Sequence, residues 1–179
     1  MRAMPRSPAI TVRPAVPADV ALILDLIHAL AAYERMPDAV EATPAAIERQ
    51  LFGSGFGRGP TAECLIGEID SEAQGFAVYC MNFSTWLAKP GIWLEDLFVR
   101  PPARGHGLGA ALLQALARVA VERGCGRMEW SVLDWNEPAL GFYRRLGAEA
   151  LSEWTTHRVS GAALVALAGG VQGEPSSPC

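Results

Sequence analysis

Apolar positions along this chain fall into two periods, and the switches between them lay out the elements. Ile10-Thr-Val-Arg-Pro14 reads as a short strand closed by proline. From Ala15 to Tyr33 the period becomes helical, with Val20, Ile23, Leu24, Ile27, Leu30 and Ala31 recurring on one face. Pro17 and Asp19 suit the first turn of that helix. Thr43 and Pro44 form a cap and first-position pair for a second helix through about Leu51, and the glycine-rich run 52–60 reads as a loop. Glu63–Ile69 and Gln74–Met81 read as a hairpin turning at residues 70–73, with a more irregular link from Phe83. Pro90-Gly91 marks a turn before the central strand, Ile92–Val99.

The second half repeats the logic. From about Gly107 to Glu122 the residues Leu108, Leu112, Leu113, Leu116, Val119 and Ala120 line one helical face, and Gly124 and Gly126 stop it. Met128, Trp130 and Val132 alternate within a strand over Arg127–Leu133. Asn136 and Pro138 open a helix that runs to Leu146 and closes at Gly147. Ala148–Ser152 and Thr155–Val159 read as a last antiparallel pair, followed by a short helix at Gly161–Leu167. Strands and helices mixed in this order predict an α/β (α+β) fold. Its sheet is mixed and mostly antiparallel, flanked by helices, within one domain over residues 9–168. Residues 1–8 and 169–179 read as frayed tails.

A chain of 179 residues suffices for one domain with a buried core. Acidic residues outnumber basic ones by 19 to 15, and Lys89 is the single lysine, so no basic patch argues for nucleic acid. There is no run of 18 apolar residues to span a membrane, and the first residues lack the apolar core of a signal peptide. Cys64, Cys80, Cys125 and Cys179 have no Cys-x-x-Cys spacing, which points to free thiols in a reducing cytoplasm. His28, His106 and His157 have no metal-ligand spacing, so no metal is expected.

The glycine-rich turn carries the first chemistry. Arg104-Gly105-His106-Gly107-Leu108-Gly109 lies between a strand and a helix. A helix N-terminus presents unpaired N–H groups and positive partial charge, and glycines let a phosphate approach them. A Walker loop fails, because no lysine follows the glycines. A dinucleotide fingerprint fails on spacing, since the glycines alternate at 105, 107 and 109.

The turn fits the Arg/Gln-x-x-Gly-x-Gly/Ala pattern, and with it the chain resembles the GCN5-related N-acetyltransferases. Leu94-Glu95-Asp96-Leu97-Phe98-Val99, then Trp135-Asn136-Glu137-Pro138-Ala139, then Phe142-Tyr143, together with Tyr33-Glu34, resemble the diamine branch of that family, the spermidine/spermine and thialysine acetyltransferases. The resemblance runs from Ile10 to about Trp154. It implies two central parallel strands, 92–99 and 127–133, splayed apart around acetyl-CoA. It places pyrophosphate on Arg104, Gly105, His106, Gly107, Leu108 and Gly109, the pantetheine arm along Leu97, Phe98 and Val99, and a further cofactor contact on Asn136. It implies a homodimer, for which Phe83, Trp86, Trp135 or Trp154 would supply an apolar patch.

Transfer of an acetyl group to an alkyl amine needs a base for the ammonium proton and an acid for the departing thiolate. The resemblance assigns these to Glu95 and Tyr143. There is no Gly-x-Ser-x-Gly elbow and nothing singles out Cys80 or Cys125 as an acyl carrier, so direct attack in a ternary complex is expected. Glu95 sits among Trp93, Leu94, Leu97 and Phe98, a setting expected to bury it and raise its pKa. Asp96 is expected to meet the distal amine, but strand neighbours point oppositely, so both acids share a pocket only if the strand is distorted. Tyr33 and Glu34, with Asp38 and Glu41 nearby, would rim an acceptor pocket for a polyamine or lysine-like molecule. Another small amine, a protein amine, and a CoA-binding module without turnover are the alternatives.

Overall fold

The computed structural model describes residues 8–54 and 59–169. The expected tails lie almost wholly outside the described residues, as do residues 55–58 of the expected loop. The chain groups into two units that divide after Ser131.

The first unit holds a five-stranded sheet in the order β1 (Ile10–Pro14), β2 (Glu63–Ile69), β3 (Glu72–Ser84), β4 (Lys89–Val99), β5 (Met128–Trp130). The first three pairings are antiparallel, and β4 with β5 is parallel, as a strand–helix–strand crossover allows. Helices α1 (Val20–Tyr33), α2 (Pro44–Phe52) and α3 (Leu108–Glu122) complete the unit. The β2–β3 turn tightens to Asp70 and Ser71, both at positive φ, the conformation a two-residue hairpin loop demands.

Alternation along the strands sends side chains to two cores. Cys64, Ile66, Phe76 and Phe98 pack with Ile23 and Leu26 of α1 and Leu51 of α2. The buried α1 stripe therefore includes Leu26, which the expected face omitted, while Leu24 is only half-buried. On α3 the expected face holds: Leu108, Leu112, Leu113, Leu116 and Ala120 are buried and Val119 half-buried. Gly67 of β2 makes that packing close. A Cβ there would come within 2.9 Å of Leu108, so a bare backbone brings the start of α3 against the sheet. At the other end of α3, Arg123 donates to both carboxylate oxygens of Glu63 at 2.5 and 2.7 Å.

Pro90-Gly91, expected as a turn, lies within β4 and pairs with Phe83 and Asn82; two further expectations are corrected. The strand expected over 127–133 extends only from Met128 to Trp130, because its partner β4 breaks register just after Leu94. The pair expected at 148–152 and 155–159 is not formed. Two strands with no face to bury are marginal in water, and residues 149–169 are exposed. As a result β5, expected near the centre, ends the strand order among the described residues. The second unit contains α4 (Glu137–Arg145) and α5 (Gly161–Ala168).

The entry to α1 is held by a charged knot. Arg13 of β1 grips Asp19 with two bonds, 2.7 and 2.9 Å, and donates through Nε to Glu68 of β2 at 2.8 Å. Asp19, only 8% exposed, also accepts the Val16 N–H at 2.8 Å. The Arg13 guanidinium holds the Asp19 carboxyl below its usual range, against the opposing effect of burial. A depressed carboxylate stabilises the fold above its unfolded pKa, about 3.9, and loses that contribution as pH falls through the folded value. Asp19→Asn is therefore expected to lower unfolding free energy by about 2 kcal/mol at pH 7. Urea titrations should show that deficit shrinking below about pH 4; a deficit independent of pH would separate the loss from the ion pair.

Candidate active site

The site is organised by one irregularity in β4. Val78 of β3 pairs with Asp96, but Tyr79 pairs with Leu94, so Glu95 is an extra residue opposite no partner. An extra residue of this kind is a β-bulge, and it resets the alternation of side chains. Beyond the bulge, Asp96 and Phe98 share the face of their partners Val78 and Phe76, the side on which α1 packs. Before it, Trp93 pairs with Cys80 on the same face, and Trp93 donates its indole N–H to Glu95 Oε2 at 2.8 Å. The bulge thus brings Glu95 and Asp96 to one side of the sheet. This is the distortion that sequence reasoning required.

Their environments differ, and here the expectation for Glu95 is corrected. Glu95 is exposed, because the bulge turns it outward, whereas Asp96 is half-buried. Burial pushes the Asp96 carboxyl up to about 6, and the neighbouring carboxylates Glu95 and then Glu34 add to the rise. Glu34, just past the last residue of α1, is itself raised by burial. Glu34, Glu95 and Asp96 therefore form one acidic group. Asp38 and Glu41 of the following loop are both exposed. Trp93, which sequence reasoning did not assign, supplies a hydrogen bond to Glu95; its signal is the two-residue spacing that places both on one strand face.

The same half of β4 leads into the candidate cofactor residues. The parallel ladder with β5 ends at Leu94 opposite Trp130, so the stretch from Glu95 to Val99 has no strand beside it on that edge among the described residues. Leu97, Phe98 and Val99 belong to that stretch; the Phe98 ring itself is buried in the α1 core. After a turn at 101–103, Gly105 and Gly107 take φ values of +83° and +91°, which a side chain would strain. A Cβ at Gly105 would meet nothing within 4 Å, so the loop is open above that residue. The first helical bond of α3 runs from Ala111 N–H to Gly107 O at 3.0 Å, and no side chain caps the helix. The N–H groups of Leu108, Gly109 and Ala110 consequently precede the helix's own bonding, the arrangement by which a helix start can hold an anion. His106 Nδ1 lies 3.3 Å from Ala103 O, and Leu108 is buried beneath the helix start.

Arg104 donates through Nε to Val99 O at 2.9 Å, and its guanidinium sits 4.3 Å from the Tyr33 ring centroid and 5.5 Å from that of Phe98. These residues fit a bound acetyl-CoA: a fixed cation, a glycine turn, uncapped amides and a strand edge lie in sequence along one path.

Asn136 and Tyr143 belong to the second unit. Asn136 caps α4 as expected, its Oδ1 accepting the Ala139 N–H at 3.4 Å. Tyr143 lies in the last turns of α4, with its ring 5.3 Å from that of Phe142. Among the thiols, burial pushes Cys64 up to about 12, which removes it as a nucleophile near neutrality. Cys80 is raised by burial and by Glu95. No helix of the described residues is long and apolar enough to cross a membrane.

The description of the Acetyltransferase (GNAT) family matches residues 25–148, more than half of the chain. A thialysine N-epsilon-acetyltransferase from Bos taurus is 38% identical over 171 residues, covering 89% of this chain and 98% of that protein. A spermidine/spermine N(1)-acetyltransferase-like protein 1 from Homo sapiens is 36% identical over 148 residues, 79% of this chain and 21% of that protein. Among solved structures, an integron cassette protein from the mobile metagenome of V. cholerae superposes with a TM-score of 0.72 at 25% identity, covering 89% of this chain and 97% of that one. The glycine turn, the bulged acidic strand and these likenesses together place the chain in the GNAT family of N-acetyltransferases, in its diamine branch.

Proposed function

We propose that this protein transfers an acetyl group from acetyl-CoA to a primary amine of a small polyamine or lysine-like molecule. The observation that carries the reading is the bulge at Glu95, which sets two carboxylates beside each other on one sheet face with Glu34 close by. A diamine carries two cations near neutral pH, because alkyl ammonium groups lose their proton near pH 10.4. An acidic group of this size suits one cation to be held and a second to be deprotonated. The relatives named for thialysine and for spermidine/spermine act on amines of this class by their names.

Acetyl-CoA supplies the activated thioester. On the protein side, Arg104 and the amides that begin α3 hold its pyrophosphate, and the edge from Leu97 to Val99 receives the pantetheine arm. Glu95, exposed and oriented by Trp93, accepts the ammonium proton directly or through water. Asp96, with Glu34 near it, holds the distal cation, and Tyr33 completes the acceptor rim. Tyr143 donates a proton to the departing sulfur, and Asn136 both caps α4 and contacts the cofactor arm. A second assignment is favoured by one observation: the Asp96 carboxyl, pushed up to about 6, lies nearer the range of an efficient base than an ordinary carboxylate does. The protein works in the cytoplasm as a homodimer. The free thiols support the first statement, and the exposed Phe83 and Trp86 near the β3–β4 turn support the second.

Steady-state assays with a panel of diamines, lysine analogues, an aminoglycoside and a histone-tail peptide test the substrate class. Turnover is expected on the diamines and lysine analogues, and turnover on the peptide alone would refute the proposal. Glu95→Gln and Tyr143→Phe are each expected to lower kcat on the order of 100-fold while CoA affinity stays within about two-fold. A full loss in Asp96→Asn beside an active Glu95→Gln would move the base to Asp96.

Selectivity should also follow pH. Asp96 is largely neutral below about 6 and ionised above it, because burial and the Glu95 and Glu34 charges raise its pKa. The ratio of kcat/KM for a diamine to that for a matched monoamine cancels deprotonation of the attacking amine. That ratio is expected to climb as pH rises through about 6 and then level off. In Asp96→Asn it should be low and flat; a flat ratio in the parent protein would count against Asp96 as the cation holder.

A further inference from the structure

Three contacts fix Arg104, and only one of them is a hydrogen bond. Nε donates to Val99 O at 2.9 Å, the Tyr33 ring centroid lies 4.3 Å from the guanidinium carbon, and the Phe98 ring centroid lies 5.5 Å away. The two rings are themselves tilted against each other at 53° with centroids 6.4 Å apart, so they form one aromatic bed. Phe98 is 3% exposed and anchors that bed in the core, while Tyr33 is half-buried at the end of α1. The terminal nitrogens of Arg104 take no hydrogen bond among the described residues. An arginine held by its Nε and its flat face, with its fork unengaged, is ordered before a ligand arrives. Less side-chain entropy is then lost when phosphate oxygens bind both terminal nitrogens.

We propose that Tyr33 is a positioning residue for acetyl-CoA, acting through Arg104 by stacking under its guanidinium. This rests on the reading of Arg104 as a pyrophosphate ligand, and it gives Tyr33 a duty beyond the acceptor rim. Tyr33 and Glu34 are consecutive, so one turn at the end of α1 serves both substrates. The ring of Tyr33 faces the cofactor loop, and the carboxylate of Glu34 joins the acid group around Asp96.

Calorimetric CoA titration of the full chain tests this with a double-mutant cycle. Arg104→Gln is expected to weaken CoA binding at least ten-fold. Tyr33→Leu should weaken it on the order of five-fold, and Tyr33→Phe, which keeps the ring, by less than about two-fold. In the Arg104→Gln background the Tyr33→Leu change should have no further effect. Replacement of Tyr33 by progressively fluorinated phenylalanines keeps the packing and drains the ring's negative face. CoA affinity should fall stepwise along that series even if Tyr33→Leu is poorly folded. An undiminished Tyr33→Leu effect without Arg104, or a flat fluorination series, overturns the proposal. If Arg104→Gln leaves CoA affinity unchanged, the pyrophosphate reading of the loop falls first, and the role of Tyr33 with it.

Discussion

One inserted residue in β4 sets the conditions for everything else in the candidate site. A regular strand would send Glu95 and Asp96 to opposite faces of the sheet. The register break between Val78 and Tyr79 removes that constraint and puts both carboxylates on the α1 side. The ladder between β4 and β5 ends at Leu94, immediately before the extra residue. The half of β4 that follows therefore keeps an edge unoccupied by a strand among the described residues. Gathering the acids and freeing the edge are thus two results of one local geometry. A substitution that restored regular pairing would remove both together.

The ends of two helices carry opposite charge. The peptide dipoles of α1 leave negative partial charge at its C-terminus, where Tyr33 and Glu34 lie, and the acids of β4 add to it. The dipoles of α3 leave positive partial charge at Gly107 and Leu108, where Arg104 adds a full charge. In the proposed reading, the first end suits an ammonium group and the second a pyrophosphate. The two meet where Arg104 lies over Tyr33. The Arg13–Asp19–Glu68 knot at the other end of α1 keeps that helix in register with the sheet, and so holds the meeting point in place.

Much of this was legible in the residues. Thr43 and Asn136 cap their helices as their side chains predict, with bonds to Ala46 and Ala139. The apolar face of α3 follows its period, and the glycines at 105 and 107 occupy the left-handed conformations that a tight turn needs. What escaped depends on pairing rather than on pattern. Register is a relation between two strands, so no single strand reveals that Glu95 is the residue skipped. The same limit explains the missing pair at 148–159, whose alternation is suitable but which has no partner strand. Leu26 was missed because the neighbouring leucines permit more than one helical stripe, and only the sheet beneath selects among them. The resemblance pointed to Glu95 and Asp96 together, but it could not say which of them the fold would bury.

That division has a chemical consequence. A carboxylate held in a half-buried place beside two others resists ionisation, and Asp96 shows this in its rise to about 6. An ammonium group bound next to it would supply the missing counter-charge and favour the ionised form. Acceptor binding and Asp96 ionisation are then linked, so the half-buried acid favours a cation over a neutral molecule of the same shape. As the proposed base, Glu95 has the opposite requirement. A group that takes a proton on each turnover must also release it, and its exposed place on the bulge gives it water for that purpose. Two adjacent acids of nearly the same intrinsic strength are thereby suited to different tasks, and the difference comes from the one residue of bulge that turns them unequally toward solvent.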